Sequence, residues 1–174
     1  MTDGVAAAET IDRVWSLLAG VSDPEIPVIS VVDLGIVRSV ECVHDGIEIG
    51  VTPTYTGCPA THVIERDILE ALSAEGINAR LVTRLDPPWT TDWITPRGRE
   101  RLAEYGIAPP VAADRHAARV VHLVPRGAVL SQSPACPQCG STHTELLSQF
   151  GSTACKALYR CTDCREPFDY FKPL

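Results

Sequence analysis

No run in this 174-residue chain approaches the roughly 18 apolar residues of a membrane span, so no membrane protein is expected. Met1–Ala8 carries no basic residue ahead of a long apolar core. A secretory signal is therefore not expected, and the cytoplasm is the default compartment. Positive charge is scarce as well: 15 Lys and Arg stand against 22 Asp and Glu, a formal net charge of -7. Residues 1–135 hold 11 basic and 18 acidic side chains and the remainder 4 of each. Neither part has the basic stripe that phosphate binding needs, which argues against a nucleic-acid partner. The chain also lacks the paired Glu-x-x-His helices of a di-iron carboxylate core and the Gly-x-Gly-x-x-Gly turn of a dinucleotide site. It is not expected to activate oxygen or supply electrons itself.

What it does have is 7 cysteines. Without a secretory signal these point to a reducing compartment, where clustered thiols hold metal more often than they pair as disulfides. The hydrophobic fraction of 45% and charged fraction of 21% are ordinary for a globular chain. The length suits one medium domain plus a small appendage.

In chain order, Ile11, Val14, Trp15 and Leu18 recur at helical spacing over residues 9–20, with Thr10 as a candidate cap and Gly20 as the stop. Ser22-Asp23-Pro24-Glu25-Ile26-Pro27 cannot continue that helix, because two prolines impose extended or turn geometry. By themselves its carboxylates read as an Asp-Pro turn with Glu25 solvated. Two alternating runs flank His44-Asp45-Gly46, a hairpin signal, with Cys42 on the apolar face of the first strand and expected in the core. A helix ending near Gly76 and a strand through Ile77, Ala79 and Leu81 follow. The order helix, hairpin, helix, strand predicts an α+β two-layer domain over residues 9–106.

Between the hairpin and the second helix lies Thr52-Pro53-Thr54-Tyr55-Thr56-Gly57-Cys58-Pro59-Ala60-Thr61-His62. It reads as strand, turn and helix start, with Cys58 at or near the cap and Pro59 at the first helical position. A thiol at a helix N-terminus is favoured as thiolate, the form that binds metal or acts as nucleophile. Gly57 supplies the turn. The plainer alternative is a small cysteine buried under that turn. His62, four residues on, would share a helix face with Cys58, which raises a cysteine-dependent hydrolase or transferase. No orienting third residue or oxyanion-hole pattern supports that, and no catalytic residue is assigned.

Further on, Trp89 and Trp93 sit in a proline-stiffened loop. They are candidates for partner binding, against the commoner fate of plugging the core. Thr95-Pro96 starts a short helix that Tyr105-Gly106 closes. Residues 107–135 read as a linker, with one possible strand at Val120–Val124. The tail, 136–174, carries Cys136-Pro137-Gln138-Cys139 and Cys161-Thr162-Asp163-Cys164. Two such turns complete a tetrahedral four-thiolate shell, so a small C-terminal zinc ribbon with structural zinc is expected, rubredoxin-like iron being the rival occupant. Strands are expected at 145–150, 156–160 and 168–171. Cys155 falls outside the ligand set and is expected to pack.

Taken together, Asp23-Pro24-Glu25-Ile26-Pro27, Asp33-Leu34-Gly35 and the Thr52–Ala60 turn resemble the iron–sulfur assembly domain of SufT-like maturation factors. Pro87–Ile94 and the cysteine tail are similar to one branch of that family, the accessory proteins of phenylacetyl-CoA ring-epoxidase systems in phenylacetate catabolism. The resemblance implies that the Asp-Pro-Glu loop and the Cys-Pro turn meet at one edge of the fold. It also implies a maturation role, with an iron–sulfur cluster or iron held transiently at Cys58 and Asp23 and Glu25 orienting partners or supplying oxygen ligands. The implied partners are the oxygenase and the iron–sulfur flavin reductase subunits. One cysteine is a poor cluster cage, so a second protomer, a client's cysteines or glutathione would have to complete the ligation. A non-catalytic adaptor that docks without handling metal is the alternative.

Overall fold

The computed structural model describes residues 3–55, 57–111 and 133–173. The chain forms two compact units, Met1–Gly98 and Arg99–Leu174, and is a mixed α+β structure. No helix among the described residues is long and apolar enough to cross a membrane.

In the first unit, α1 spans Asp3–Leu18 and buries Val14 and Leu18 completely. It starts earlier than its apolar period indicates, because alanine-rich residues 6–8 carry helix propensity without apolar periodicity. Thr10 is therefore an interior residue and not a cap. The strands β1 (Val37–Val43) and β2 (Gly46–Val51) pair antiparallel, turning at His44-Asp45. Next, α2 (Thr61–Ala74) crosses over to β3 (Ala79–Thr83), which pairs parallel with β2. The sheet order is β1-β2-β3, with α1 against β1 and α2, and α2 against β3. Alternation in β2 sends Ile47, Ile49 and Val51 into the core, where α2 adds Ile64, Ile68 and Leu72 at helical spacing.

Cys42 departs from expectation: it is exposed. The edge strand β1 carries a register shift between Val37 and Ser39, and its last buried residue is Val40. Cys42 lies beyond that, opposite Ile47 near the hairpin end, with its sulfur 3.9 Å from the Ala7 carbonyl.

The loop before β1 is tied down by backbone bonds, including Asp23 N–H to the Ile29 carbonyl at 2.9 Å and Val31 N–H to the Val21 carbonyl at 2.9 Å. Gly35 ends it at φ 75°, and a Cβ there would stand 2.6 Å from the Trp93 carbonyl oxygen. Both the backbone conformation and the close approach demand glycine. Gly35→Ala is expected to destabilise the protein by about 2–4 kcal/mol, read as a lower denaturation midpoint at unchanged slope.

In the second unit, α3 (Pro96–Glu104) begins before the unit boundary and has Thr95 as its cap, the Thr95 hydroxyl accepting from the Gly98 N–H at 3.0 Å. The sheet of this unit runs β4-β7-β6-β5, from β4 (Ile107–Ala108), β5 (Thr144–Ser148), β6 (Lys156–Cys161) and β7 (Pro167–Phe171). The stretch expected to open a linker thus begins as a strand. Ile107 and Ala108 are buried and pair parallel with Asp169 and Tyr170. Apolar residues with an open sheet edge beside them gain both burial and hydrogen bonds. Residues 112–132, including the possible strand at Val120–Val124, lie outside the described residues. Tyr159 anchors the core of this sheet, 6.0 Å from Phe168 in a stacked pair and 5.5 Å from Tyr170 edge-on.

Candidate functional site

The turn that carries Cys58 leaves β2 through Thr52 and Pro53. Cys58 N–H donates to the Tyr55 carbonyl at 3.4 Å, and Thr61 N–H donates back to the Cys58 carbonyl at 3.2 Å. Gly57 sits at φ 91°, and a Cβ there would meet nothing within 4 Å, so backbone conformation alone calls for glycine here. The helix itself starts later than Cys58 and Pro59 indicate. Its N-cap is Ala60, already in helical φ/ψ and without a side-chain cap, and Thr61 is the first helical residue. Cys58 therefore precedes the cap by two positions. Pro59 fits the bend of the turn as well as it fits a helix start, which is why the pattern misplaces the boundary. The thiol is half-buried.

Cys58 lines a small pocket with Asp23, Thr54, Thr61 and Glu65, over an apolar floor of Ile36, Val51 and Ile64. The Asp-Pro loop and the Cys-Pro turn thus meet at one place. Asp23 is buried, and its Oδ1 accepts N–H groups of Glu25 at 2.8 Å and Ile26 at 2.9 Å, an Asx-type turn that holds the carboxylate rigidly. Glu25 is exposed and is not part of the pocket lining. Pro24 and the Asx turn direct it away, so only the first of the two expected carboxylates joins Cys58.

Sequence reasoning assigned no site role to two residues of this region. Glu65 enters the pocket from α2, one helical turn after Thr61, and the i, i+4 relation to Thr61 was the available signal. Asp33 is 6% exposed and organises the loop from behind. Its Oδ1 accepts from the Thr95 hydroxyl at 2.8 Å, and its Oδ2 accepts from the Ser30 hydroxyl and from Arg97 Nε, each at 3.1 Å. Those partners lie up to 64 positions away in sequence, so no local pattern announces them. His62 is almost fully exposed, with Nδ1 3.6 Å from Glu65 Oε2.

Trp89 is 5% exposed and donates its indole N–H to the Leu34 carbonyl at 3.1 Å. It plugs the core and offers no docking platform, since an indole with one polar edge is satisfied by a single buried carbonyl. Trp93 is half-buried, with the Arg38 guanidinium 3.5 Å from its ring centroid.

In the second unit the four tail cysteines converge. The sulfurs of Cys136, Cys139, Cys161 and Cys164 all lie within 4.8 Å of one another, and the Cys136–Cys164 and Cys139–Cys161 pairs stand 3.7 and 3.6 Å apart. A tetrahedron with metal–sulfur bonds of about 2.3 Å has edges of about 3.8 Å, so the donor set fits zinc as it stands. Backbone N–H groups of Cys164 foremost, and of Asp163, point at the Cys161 sulfur and lower its pKa to about 7. At Cys164 the Glu166 N–H acts in the same sense, but desolvation and the other three sulfurs outweigh it and push that thiol up to about 12. Four thiols this close cannot all lose their protons unless a cation sits among them. Cys155 stands apart, with its sulfur 3.0 Å from the Thr153 hydroxyl.

Residues 11–79 match the family of iron–sulfur cluster assembly proteins, and residues 126–172 match the PaaD zinc beta ribbon domain. The chain is 52% identical over 167 residues to a protein of Escherichia coli (strain K12) described as a putative subunit of 1,2-phenylacetyl-CoA epoxidase. That match covers 95% of this chain and 94% of the relative. The fold is similar to a domain of unknown function, DUF59, from Bacillus anthracis, with TM-score 0.53 and 24% identity, covering 57% of this chain and 96% of that one. The metal-binding tail is thereby a zinc ribbon, and the N-terminal part has the iron–sulfur-assembly fold.

Proposed function

The chain belongs to the PaaD family of phenylacetyl-CoA epoxidase subunits, and on that premise we propose that it serves the epoxidase system as a non-catalytic maturation factor. It carries iron or an iron–sulfur cluster to the oxygenase or to the iron–sulfur flavin reductase, and acts in the cytoplasm. The observation that carries this reading is the pocket that Cys58 shares with the buried Asp23 carboxylate. A thiol on a stiff turn beside a fixed carboxylate can hold a metal without enclosing it. Weak, incomplete ligation is what transfer requires, because a client's own ligands must be able to take over. The four-cysteine set does the opposite: a closed tetrahedral shell has no open position, so its thiolates would hold one zinc for structural stability.

The test is to purify the oxygenase and reductase subunits from cells with and without this chain. Without it, the polypeptides are expected to be present but short of iron, with reduced flavin–cluster absorbance and little turnover. Equal iron, absorbance and turnover in both preparations would overturn maturation.

One observation favours an adaptor instead. Leu146, Leu147 and Phe150 on and beside β5 are exposed, at 42%, 47% and 66%, and offer an apolar surface to a partner. If epoxidase activity returns when metal-replete subunits are mixed with the Cys58→Ala protein, the adaptor holds.

A further inference from the structure

We propose that Ser141, His143 and Asp163 form a latch outside the four-cysteine shell, which holds the Cys161–Cys164 turn in shape for zinc. Asp163 is its positioning residue. This stands independently of the maturation reading above.

The two cysteine turns match residue for residue. Cys136 N–H donates to the Ser141 carbonyl at 2.8 Å, and Cys161 N–H donates to the Glu166 carbonyl at 3.0 Å. Position 140 of the first turn therefore corresponds to position 165 of the second. Both take the left-handed conformation, Gly140 at φ 74° and Arg165 at φ 66°. Arg165 is the one residue other than glycine with positive φ among the described residues. Glycine adopts that conformation freely, whereas the Cβ of an arginine crowds the backbone. The second turn is the strained one.

The strained turn is also the one tied across the sheet by side chains. Thr162 sends two bonds to the His143 carbonyl, from its N–H at 2.8 Å and from its hydroxyl at 3.0 Å. The Ser141 hydroxyl donates to Asp163 Oδ2 at 2.5 Å and accepts the His143 N–H at 3.0 Å. His143 Nδ1 lies 3.1 Å from the same Oδ2. The corresponding residues of the first turn are Pro137, with no N–H to give, and Gln138, with no carboxylate.

Asp163 N–H is one of the two that face the Cys161 sulfur. Anchoring the Asp163 side chain fixes the direction of that N–H, and so the face of the sulfur left for a metal. Any relaxation at Arg165 moves its neighbour Cys164, and the latch opposes that movement. The side chains of His143 and Asp163 are 75% and 52% exposed, so their contact adds little to the stability of the sheet. Its effect falls on ligand geometry, where support from outside the shell changes metal affinity by about 10–100-fold.

The test is the zinc affinity of the full chain, measured by competition with a chromophoric chelator. Co2+ absorption reports the symmetry of the four-sulfur site in parallel. Asp163→Ala is expected to bind zinc at least about tenfold more weakly than wild type and to shift the cobalt bands. Asp163→Asn, which drops the charge but keeps an oxygen for the Ser141 hydroxyl, should retain most of the affinity. Arg165→Gly should bind more tightly, and in that background Asp163→Ala should lose much less, because a relaxed turn needs less holding. Glu145→Gln is the control: it breaks an exposed ion pair with Arg160 on the same sheet and should leave affinity and cobalt bands unchanged. Wild-type affinity in Asp163→Ala overturns the latch. So does a loss in Asp163→Asn as large as in Asp163→Ala, which would assign the effect to charge. An equal loss in both backgrounds, or a comparable one in Glu145→Gln, overturns it as well, since Asp163 would then act apart from the strained turn.

Discussion

Cys136→Ser is expected to release one metal ion per chain and unfold residues 133–173, while the unit Met1–Gly98 stays folded. The cysteine is 2% exposed and belongs to the buried cluster formed with Ala157, Tyr159, Phe168 and Tyr170. Three strands and a few aromatics make too small a core to stand alone. A four-thiolate zinc site contributes about 10–16 kcal/mol, as much as the whole stability of an ordinary domain. Losing one ligand also leaves three crowded thiols without a cation to hold them. The other unit has its own core of Leu18, Ile29, Ile49, Ile68 and Leu72, which does not depend on metal. Metal analysis combined with residue-resolved hydrogen exchange reads both parts. A full equivalent of metal in the variant, or uniform protection across the tail, would show that the shell is not what holds this sheet.

Cys58→Ala should do the opposite: keep the fold and lose the function. The thiol is half-buried on a turn whose shape comes from Gly57, Pro59 and backbone hydrogen bonds, so its removal costs no more than about 1–2 kcal/mol. Epoxidase subunits from cells carrying only this variant should have the low iron content and turnover of cells lacking the protein altogether. Thermal melting of the purified variant supplies the control. A drop much larger than that, with loss of the native spectrum, would make Cys58 a packing residue. Normal stability with fully active client subunits would remove it from metal transfer.

Two errors of sequence reasoning in this chain, at Cys42 and at the start of α1, share a cause. Periodicity located every helix and strand of the first sheet, because apolar side chains at spacings of 2 and 3.6 residues have to face one side. It did not say how far along a strand burial extends, so Cys42 was placed in a core that stops at Val40. Nor did it see the start of α1, where alanines favour helix without marking a face. Trp89 shows a different limit. Its composition and loop context are compatible with a docking surface or a plug, and only the Leu34 carbonyl waiting at 3.1 Å decides between them.

The zinc ribbon was legible from spacing alone, since a Cys-x-x-Cys turn brings its two sulfurs together locally and the fold has only to join two such turns. The strand–turn–helix around Cys58 was legible for the same local reason: Gly57 and Pro59 restrict the backbone wherever the rest of the chain goes. Membership of the pocket was not. Asp23 and Glu25 are neighbours in sequence with equal claims as ligands, and the Asx turn buries the first and exposes the second. Glu65, one acid among several on α2, acquires its place only because α2 packs its Thr61, Ile64 and Glu65 face toward the loop that carries Asp23. Short-range backbone chemistry thus determined the two cysteine motifs, and long-range packing decided which carboxylates stand beside Cys58.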